Sequence, residues 1–304
     1  MARPRKSGRN VNGILLLNKP LKMGSNEALQ VVKGLFKAKK AGHTGSLDRL
    51  ASGLLPICFG EATKLSGFLL NANKRYESTL RLGVVTSTGD AEGKVLRTAC
   101  PPNLAAMDYK RVLKCFEGDI SQIPPMHSAI KIKGQRLYKL AHQGIVVERE
   151  PHTVTIHELH YVDHQEDRLS VEVFCSKGTY IRTLAEDIGE HIGCGASLCA
   201  LHRTASGPFT ATAMFSLDEL RDKERQGTLD EAILPMDSIV MHLPQVSLSS
   251  DVAFYLKQGQ PVLVPHAPTQ GWVRIYLKRE KFLGVGEVLD DGRIAPRRLI
   301  KGVA

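Results

Sequence analysis

The chain has 304 residues, 42% of them hydrophobic and 24% charged, which supplies one large core plus a smaller domain and excludes a globally disordered protein. With 41 Lys and Arg against 31 Asp and Glu the formal charge is +10, which favours an anionic partner, nucleic acid ahead of an anionic membrane. Apolar runs such as ILLL at Ile14 to Leu17 are too short to span a bilayer, and no apolar stretch of a signal peptide follows the basic start, so a soluble, cytoplasmic protein is expected.

Residues 1–10 (MARPRKSGRN) read as a flexible basic arm. Asn12 to Pro20 reads as a buried strand ended by Pro20, and a helix follows from Ser25, a candidate N-cap, with Leu29, Val32 and Phe36 on one face. Next comes AGHTGSLDRLASG, Ala41 to Gly53, in which Asp48 is the one acid for ten residues on either side. Glu61 to Leu70 has a helical texture. From Lys74, KRYESTLRLGV alternates, placing Tyr76, Ser78, Leu80 and Leu82 on one face of a strand. GDAEG at Gly89 to Gly93 is a turn signal, and Asn103 to Phe116 is expected to be helical.

Between Ala129 and Arg149 lie Lys131, Lys133, Arg136, Lys139 and Arg149 against one acid, Glu148, a local charge of +4; alone this fits a solvated surface helix and hairpin as well as an RNA grip. Val154 to Val162 and Leu169 to Cys175 read as two strands joined across His164 to Asp167. SKGT then turns into a helix with Ile181, Leu184, Ile188 and Ile192 at helical spacing. From Leu243 a helix, Ser249 to Gln258, and the strands VRIYL, KFLGVGEVL and RIAPRRLI suggest a small β-rich domain. The six cysteines form no CxxC pair, as suits reduced thiols. His191, Cys194, Cys199 and His202 match no common zinc spacing, and a helix end, a glycine turn and a strand would scatter them, so no metal site is expected.

A lone acid in a loop is ordinarily a turn-former or a cap. Three features weigh against that for Asp48. Glycines at 42, 45 and 53 let backbone approach a ligand; His43 and Thr44 suit a base or ribose; and the chain offers Tyr76 and Tyr180 as stacking rings and Arg182 as a carboxylate partner, with no plausible second catalytic acid beside Asp48. Covalent catalysis by a carboxylate fits this set better than two-carboxylate hydrolysis. Taken singly, Tyr76 and Leu201 read as packing residues and Arg182 as a helix cap or a surface ion-pair partner.

The stretch GHTGSLDRLASGLLPICFGEATK closely resembles the catalytic segment of bacterial tRNA pseudouridine-55 synthases of the TruB type. The resemblance continues through LLLNKPxxxxSN (Leu15 to Asn26), KRYESTLRLG (Lys74 to Gly83), CSKGTYIRTLAEDIG (Cys175 to Gly189) and GxxxxPRRL (Gly292 to Leu299), nearly the whole chain in order. It implies an α+β fold: a pseudouridine synthase core over residues 11–242 with a mixed, largely antiparallel sheet, and a PUA-like RNA-binding β-barrel over 243–304. A basic RNA-gripping insertion is implied at about 124–152.

The implied activity is isomerisation of the T-loop uridine of tRNA to pseudouridine, with no cofactor, no metal, no membrane and no obligate protein partner; the partner is tRNA, through its T-arm stem-loop. By similarity Asp48 is the nucleophile, acting at the ribose or assisting loss of the base, and Arg182 pairs with it. His43 displaces the target nucleotide and fills its place, Tyr76 stacks on the flipped base, and Tyr180 and Leu201 line the pocket. Two positions depart from the family pattern: Arg49 follows the aspartate where proline is usual, and His202 follows the pocket leucine where arginine is common. Two rivals keep the scaffold and change the role: a non-catalytic tRNA-binding or folding protein, and a synthase that needs a guide RNA and protein partners.

Overall fold

The computed structural model describes residues 8–102, 108–128, 130–132 and 134–301. Most of the basic arm, the first five residues of the helix expected at Asn103 to Phe116, and Ala129 and Lys133 of the basic stretch lie outside the described residues.

Strand β1 (Gly13–Lys19) is buried almost throughout, as its unbroken apolar run requires. Helix α1 (Ser25–Leu35) turns Ala28, Leu29 and Val32 inward, and buried Phe36 ends it. Its N-cap is Gly24 rather than Ser25, because the Ser25 hydroxyl bonds to a distant loop instead. Strands β2 (Ala41–His43) and β3 (Ala51–Phe59) follow. The helix expected over Glu61 to Leu70 is split into a 3-10 turn, Gly60–Lys64, and α2 (Ser66–Leu70). Thr63 and Ser66 donate their hydroxyls to the carbonyls of Gly60 and Thr63, local bonds that compete with a continuous helix.

In β4 (Lys74–Leu82) the alternation is complete: Lys74, Tyr76, Ser78, Leu80 and Leu82 are buried. A small hairpin, β5 (Val84–Thr86) and β6 (Val95–Thr98), encloses the GDAEG turn. Then come α3 (Tyr109–Lys114), capped by the Asp108 carboxylate, β7 (Gly118–Gln122), the two-residue strands β8 (Lys131–Ile132) and β9 (Gln135–Arg136), and α4 (Leu137–His142). The basic stretch is thus a hairpin and a short helix. Strands β10 (His152–Gln165) and β11 (Arg168–Cys175) pair right up to a tight turn, with Glu166 at φ 53°, so the strands run further into the turn than the sequence suggests. Helix α5 (Ile181–Ile192), β12 (Ala196–Ser206), β13 (Phe209–Thr210) and α6 (Leu217–Gln226) complete the core.

The main sheet has the order β1-β3-β12-β4-β11-β10-β7. Among its pairs β3–β12 is parallel and the others are antiparallel, which is the mixed, largely antiparallel sheet expected. Helix α5 buries Ile181, Leu184, Ala185 and Ile188 in the same apolar core as α1 and the sheet.

The last segment forms β14 (Gln245–Leu248), α7 (Ser250–Lys257), β15 (Gly271–Leu277), β16 (Lys281–Val288) and β17 (Ile294–Leu299). They make a sheet of order β14-β15-β16-β17 with α7 packed against both end strands, and among the described residues β14 and β17 are not paired to each other; this helix-backed sheet stands where the resemblance implies the PUA-like β-barrel. It does not stand apart from the core. Val285, Phe282 and Ile300 share an apolar cluster with Ile14, Leu16, Leu54 and Ile239, and Lys64 donates to the Leu299 carbonyl at 2.8 Å. A chain cut near Leu243 is therefore expected to aggregate, as size-exclusion chromatography will show, because the cut uncovers this apolar face.

Candidate active site

A cavity of about 600 Å³ opens at the centre of the large sheet, within the usual range for a small-ligand site. Three parts of the fold meet there. The β2–β3 loop brings His43 and Asp48, the middle of β4 and its neighbour β12 bring Tyr76, Leu201 and Arg203, and the start of α5 brings Tyr180 and Arg182. All six residues singled out in the sequence line this one cavity.

The loop carrying Asp48 is held from three sides. Ser25 Oγ donates to the Leu47 carbonyl at 2.9 Å and accepts from the Leu47 amide at 2.7 Å. Thr44 donates its amide to the Pro56 carbonyl at 3.1 Å. Arg203, 1% exposed, donates Nε to Leu54 O at 2.6 Å and Nη2 to Gly45 O at 3.1 Å. Its backbone passes so close that a Cβ at Gly53 would lie 2.4 Å from Arg203 O, and Gly53 has φ 98°, so only glycine fits. Ser25→Ala removes the one hydroxyl that bonds both the amide and the carbonyl of buried Leu47. We expect a loss of about 1–3 kcal/mol in chemical unfolding and a larger fall in kcat than in substrate affinity.

Arg182 is the electrostatic centre. Its buried guanidinium lies 3.1 Å from Asp48 Oδ2 and 3.5 Å from Asp90 Oδ2, and donates to the carbonyls of Thr88 at 3.2 Å and His127 at 2.8 Å. Asp90, itself buried, accepts from Thr88 Oγ1 at 2.6 Å and from the Glu92 amide at 3.1 Å. The sequence here carries only a turn signal, and the structure adds that Asp90 of that turn stands behind the arginine as its buried partner. Asp48 keeps its side chain 48% exposed toward the cavity.

Burial raises the Asp48 carboxyl above the ordinary carboxylate range, and Asp90 adds to that; Arg182, Lys19 and His127 pull it down without cancelling the rise. The arginine therefore limits the cost of ionising Asp48 but does not make it an unusually strong acid. Two lysines nearby, Lys19 and Lys74, are buried against backbone carbonyls and are lowered to about 8, mainly by desolvation. His43, half-buried with Nδ1 unpartnered, is lowered by burial and then by Arg203, which favours a neutral ring. Tyr76 is 9% exposed and its hydroxyl is raised by burial, with Arg203 beside it opposing the rise. Tyr180 caps α5 and is pinned by Gln122, which exchanges two hydrogen bonds with its backbone at 3.0 and 3.2 Å.

The two unusual positions lie to the side. Arg49 is exposed and pairs at 3.5 Å with Glu27, while its carbonyl accepts from the Lys22 amide. A proline there keeps the carbonyl and loses an exposed pair worth about 0–1 kcal/mol. Arg49→Pro is thus expected to leave kcat and melting temperature nearly unchanged, with steady-state kinetics and a thermal melt as the checks. His202 bonds Ser52 Oγ at 2.8 Å; in the alternation of β12 it faces away from Leu201 and Arg203. Its three companions in the four-residue His/Cys set also have separate contacts: His191 with the Phe116 ring, Cys194 with Gly195 O, Cys199 with Thr79 O.

Three family models cover the chain in succession. The TruB family pseudouridylate synthase N-terminal domain matches residues 33–181, the tRNA pseudouridylate synthase B C-terminal domain 182–241, and the pseudouridine synthase II TruB C-terminal model 244–300. The tRNA pseudouridine synthase B of Nitrosococcus oceani is 55% identical over 298 residues, covering 97% of each chain. That of a Coxiella burnetii strain is 53% identical over 98% of this chain and 97% of its own. Among solved structures, one titled as a Cbf5-Nop10-Gar1 complex superposes with a TM-score of 0.74 at 26% identity, covering 95% of this chain and 84% of the other. Family models and relatives at more than half identity over nearly the whole chain agree: the chain belongs to the TruB family of pseudouridine synthases.

Proposed function

We propose that this enzyme converts the T-loop uridine of tRNA, position 55, to pseudouridine, with Asp48 as the nucleophile. The observation that carries the reading is one half-exposed carboxylate, paired to a buried arginine, in a cavity that also presents two tyrosines. In the reaction the N1–C1′ bond breaks, the base turns, and C5 bonds to C1′; the C5 proton goes to solvent and N1 takes one up. No oxidation or group transfer is involved.

Each side chain then has a task. A uridine inside folded RNA must be exposed, which costs a few kcal/mol. His43, neutral and flat, takes the vacated place in the stack. Tyr76 offers its ring to the flipped base, worth about 1–3 kcal/mol per stacked base, and Tyr180 and Leu201 close the sides. Asp48 acts at the ribose or assists departure of the base, and Arg182 holds its carboxylate while Asp90 fixes the guanidinium. Lys131, Arg136 and Lys139 of the hairpin and short helix supply cations for phosphates, and Arg136 reaches the cavity wall. This built-in basic element favours a stand-alone enzyme over one needing a guide RNA.

The test is product mapping: purified full-length protein and an unmodified tRNA transcript, followed by chemical labelling of pseudouridine and primer extension. A single stop at the T-loop uridine is expected. A bound but unmodified transcript would instead favour the tRNA-folding role.

A further inference from the structure

A second cavity, of about 800 Å³, lies where the C-terminal sheet meets the core. It is lined by Phe68 and Phe174 from the core and by Trp272 and Arg298 from the C-terminal sheet, and among its described lining residues there is no carboxylate. Trp272 is the single tryptophan of the chain and is 36% exposed, its ring held edge-on by Phe68 at a centroid distance of 5.4 Å. Arg298, within the PRRL motif, is exposed, donates Nη1 to the Arg297 carbonyl at 2.9 Å and makes no ion pair among the described residues, whereas the Arg297 guanidinium is bound to Glu287. An exposed indole and a guanidinium without an ion pair among the described residues, both lining one largely apolar cavity whose lining holds no carboxylate, have the chemistry that takes a flat ring carrying a phosphate.

The two cavities flank one short piece of backbone. Leu70 and Lys74 line the first; Asn71, Ala72 and Asn73, between them in sequence, line the second. The register puts Tyr76 and Arg203 on one face of the sheet and Phe174 and Ala205, across from Arg75, on the other, so a strand leaving the first cavity reaches the second by passing around this loop, whose span even fully extended is no more than about 14 Å. On this basis, and resting on the RNA-modifying reading above, we propose that the second cavity binds an unstacked nucleotide of the same RNA, its base on Trp272 and its phosphate on Arg298.

Because Trp272 is the sole tryptophan, the unmodified full-length protein reports on the site. Titrating it with an unmodified tRNA transcript is expected to quench the emission saturably, with a midpoint near the KM for pseudouridine formation. Arg298→Ala is expected to raise KM about five- to tenfold with the change in KM rather than kcat. Trp272→Phe should keep most of the affinity that Trp272→Leu loses, read as KM because both variants lack the fluorescent reporter, with thermal melts equal to the parent's; a purely structural role at the junction would lower the melting temperature of the leucine variant along with its affinity. Pseudouridine formed at a normal rate with flat Trp272 emission, or Arg298→Ala with KM within twofold of the parent, overturns the proposal while leaving the catalytic reading intact. A transcript neither bound nor modified overturns that reading itself.

Discussion

Asp48→Asn is expected to abolish turnover, below about a thousandth of the parent rate, in a protein that keeps its fold and its affinity for tRNA. The substitution preserves shape and removes charge, so a nucleophile is lost where a capping residue would be largely kept. The surroundings tolerate it, because Arg182 retains Asp90 and two backbone carbonyls as partners. Linkage points the same way. The Asp48 carboxyl is raised on folding, so its stabilising contribution belongs to the protonated form and is lost as pH rises through the folded value. The ionised group therefore adds nothing to the fold at neutral pH, and the asparagine variant should melt at the same temperature as the parent or slightly above it. Thermal melts and single-turnover assays on one preparation check both halves.

Arg182→Met should have the next largest effect, and a different one. It leaves Asp90 buried without its guanidinium, and breaking a buried pair costs about 3–5 kcal/mol. The melting temperature should fall by roughly 5–15 °C. Catalysis should fall by at least about a hundredfold, as when a preorganised electrostatic partner is removed. The pH dependence separates the two losses. Activity needs ionised Asp48, so the rate declines as pH falls through its raised value; without Arg182, which lowers that value, the acid limb moves to higher pH. Arg182→Lys keeps the charge but not the fork that spans two carboxylates, and is expected to lie between. A pH–rate profile that moves the other way would remove Arg182 from this role.

The contrast between Asp90 and Asp48 shows how much of the site was legible in the sequence. Asp48 stands in a glycine-rich stretch whose order with four other motifs is specific, and His43, Tyr76, Tyr180, Arg182 and Leu201 follow from it. Asp90 sits in GDAEG, which has the composition of any turn, and its meeting with Arg182 is a contact across 92 residues that no local pattern carries. Arg203 was missed for a related reason: an arginine in a strand reads as a solvent-facing residue, and only the β3–β12–β4 register shows it buried against the Asp48 loop. Ser25 reads as a cap by position, yet its hydroxyl is spent on Leu47, a long-range bond that overrides local capping preference. Strands and amphipathic helices were legible because burial imposes periods of two and 3.6 on the residues themselves. The open edge of the C-terminal sheet depends on pairing between distant strands, and those periods do not record it.

The most direct measurement of the central claim is tritium release from C5 of uridine, using full-length protein and two labelled tRNA transcripts, one with the T-loop uridine at position 55 and one with cytidine there. One equivalent of tritium released per uridine-55 transcript, and none from the cytidine transcript, is the predicted result. Equal release from both, or full release by Asp48→Asn, would contradict it.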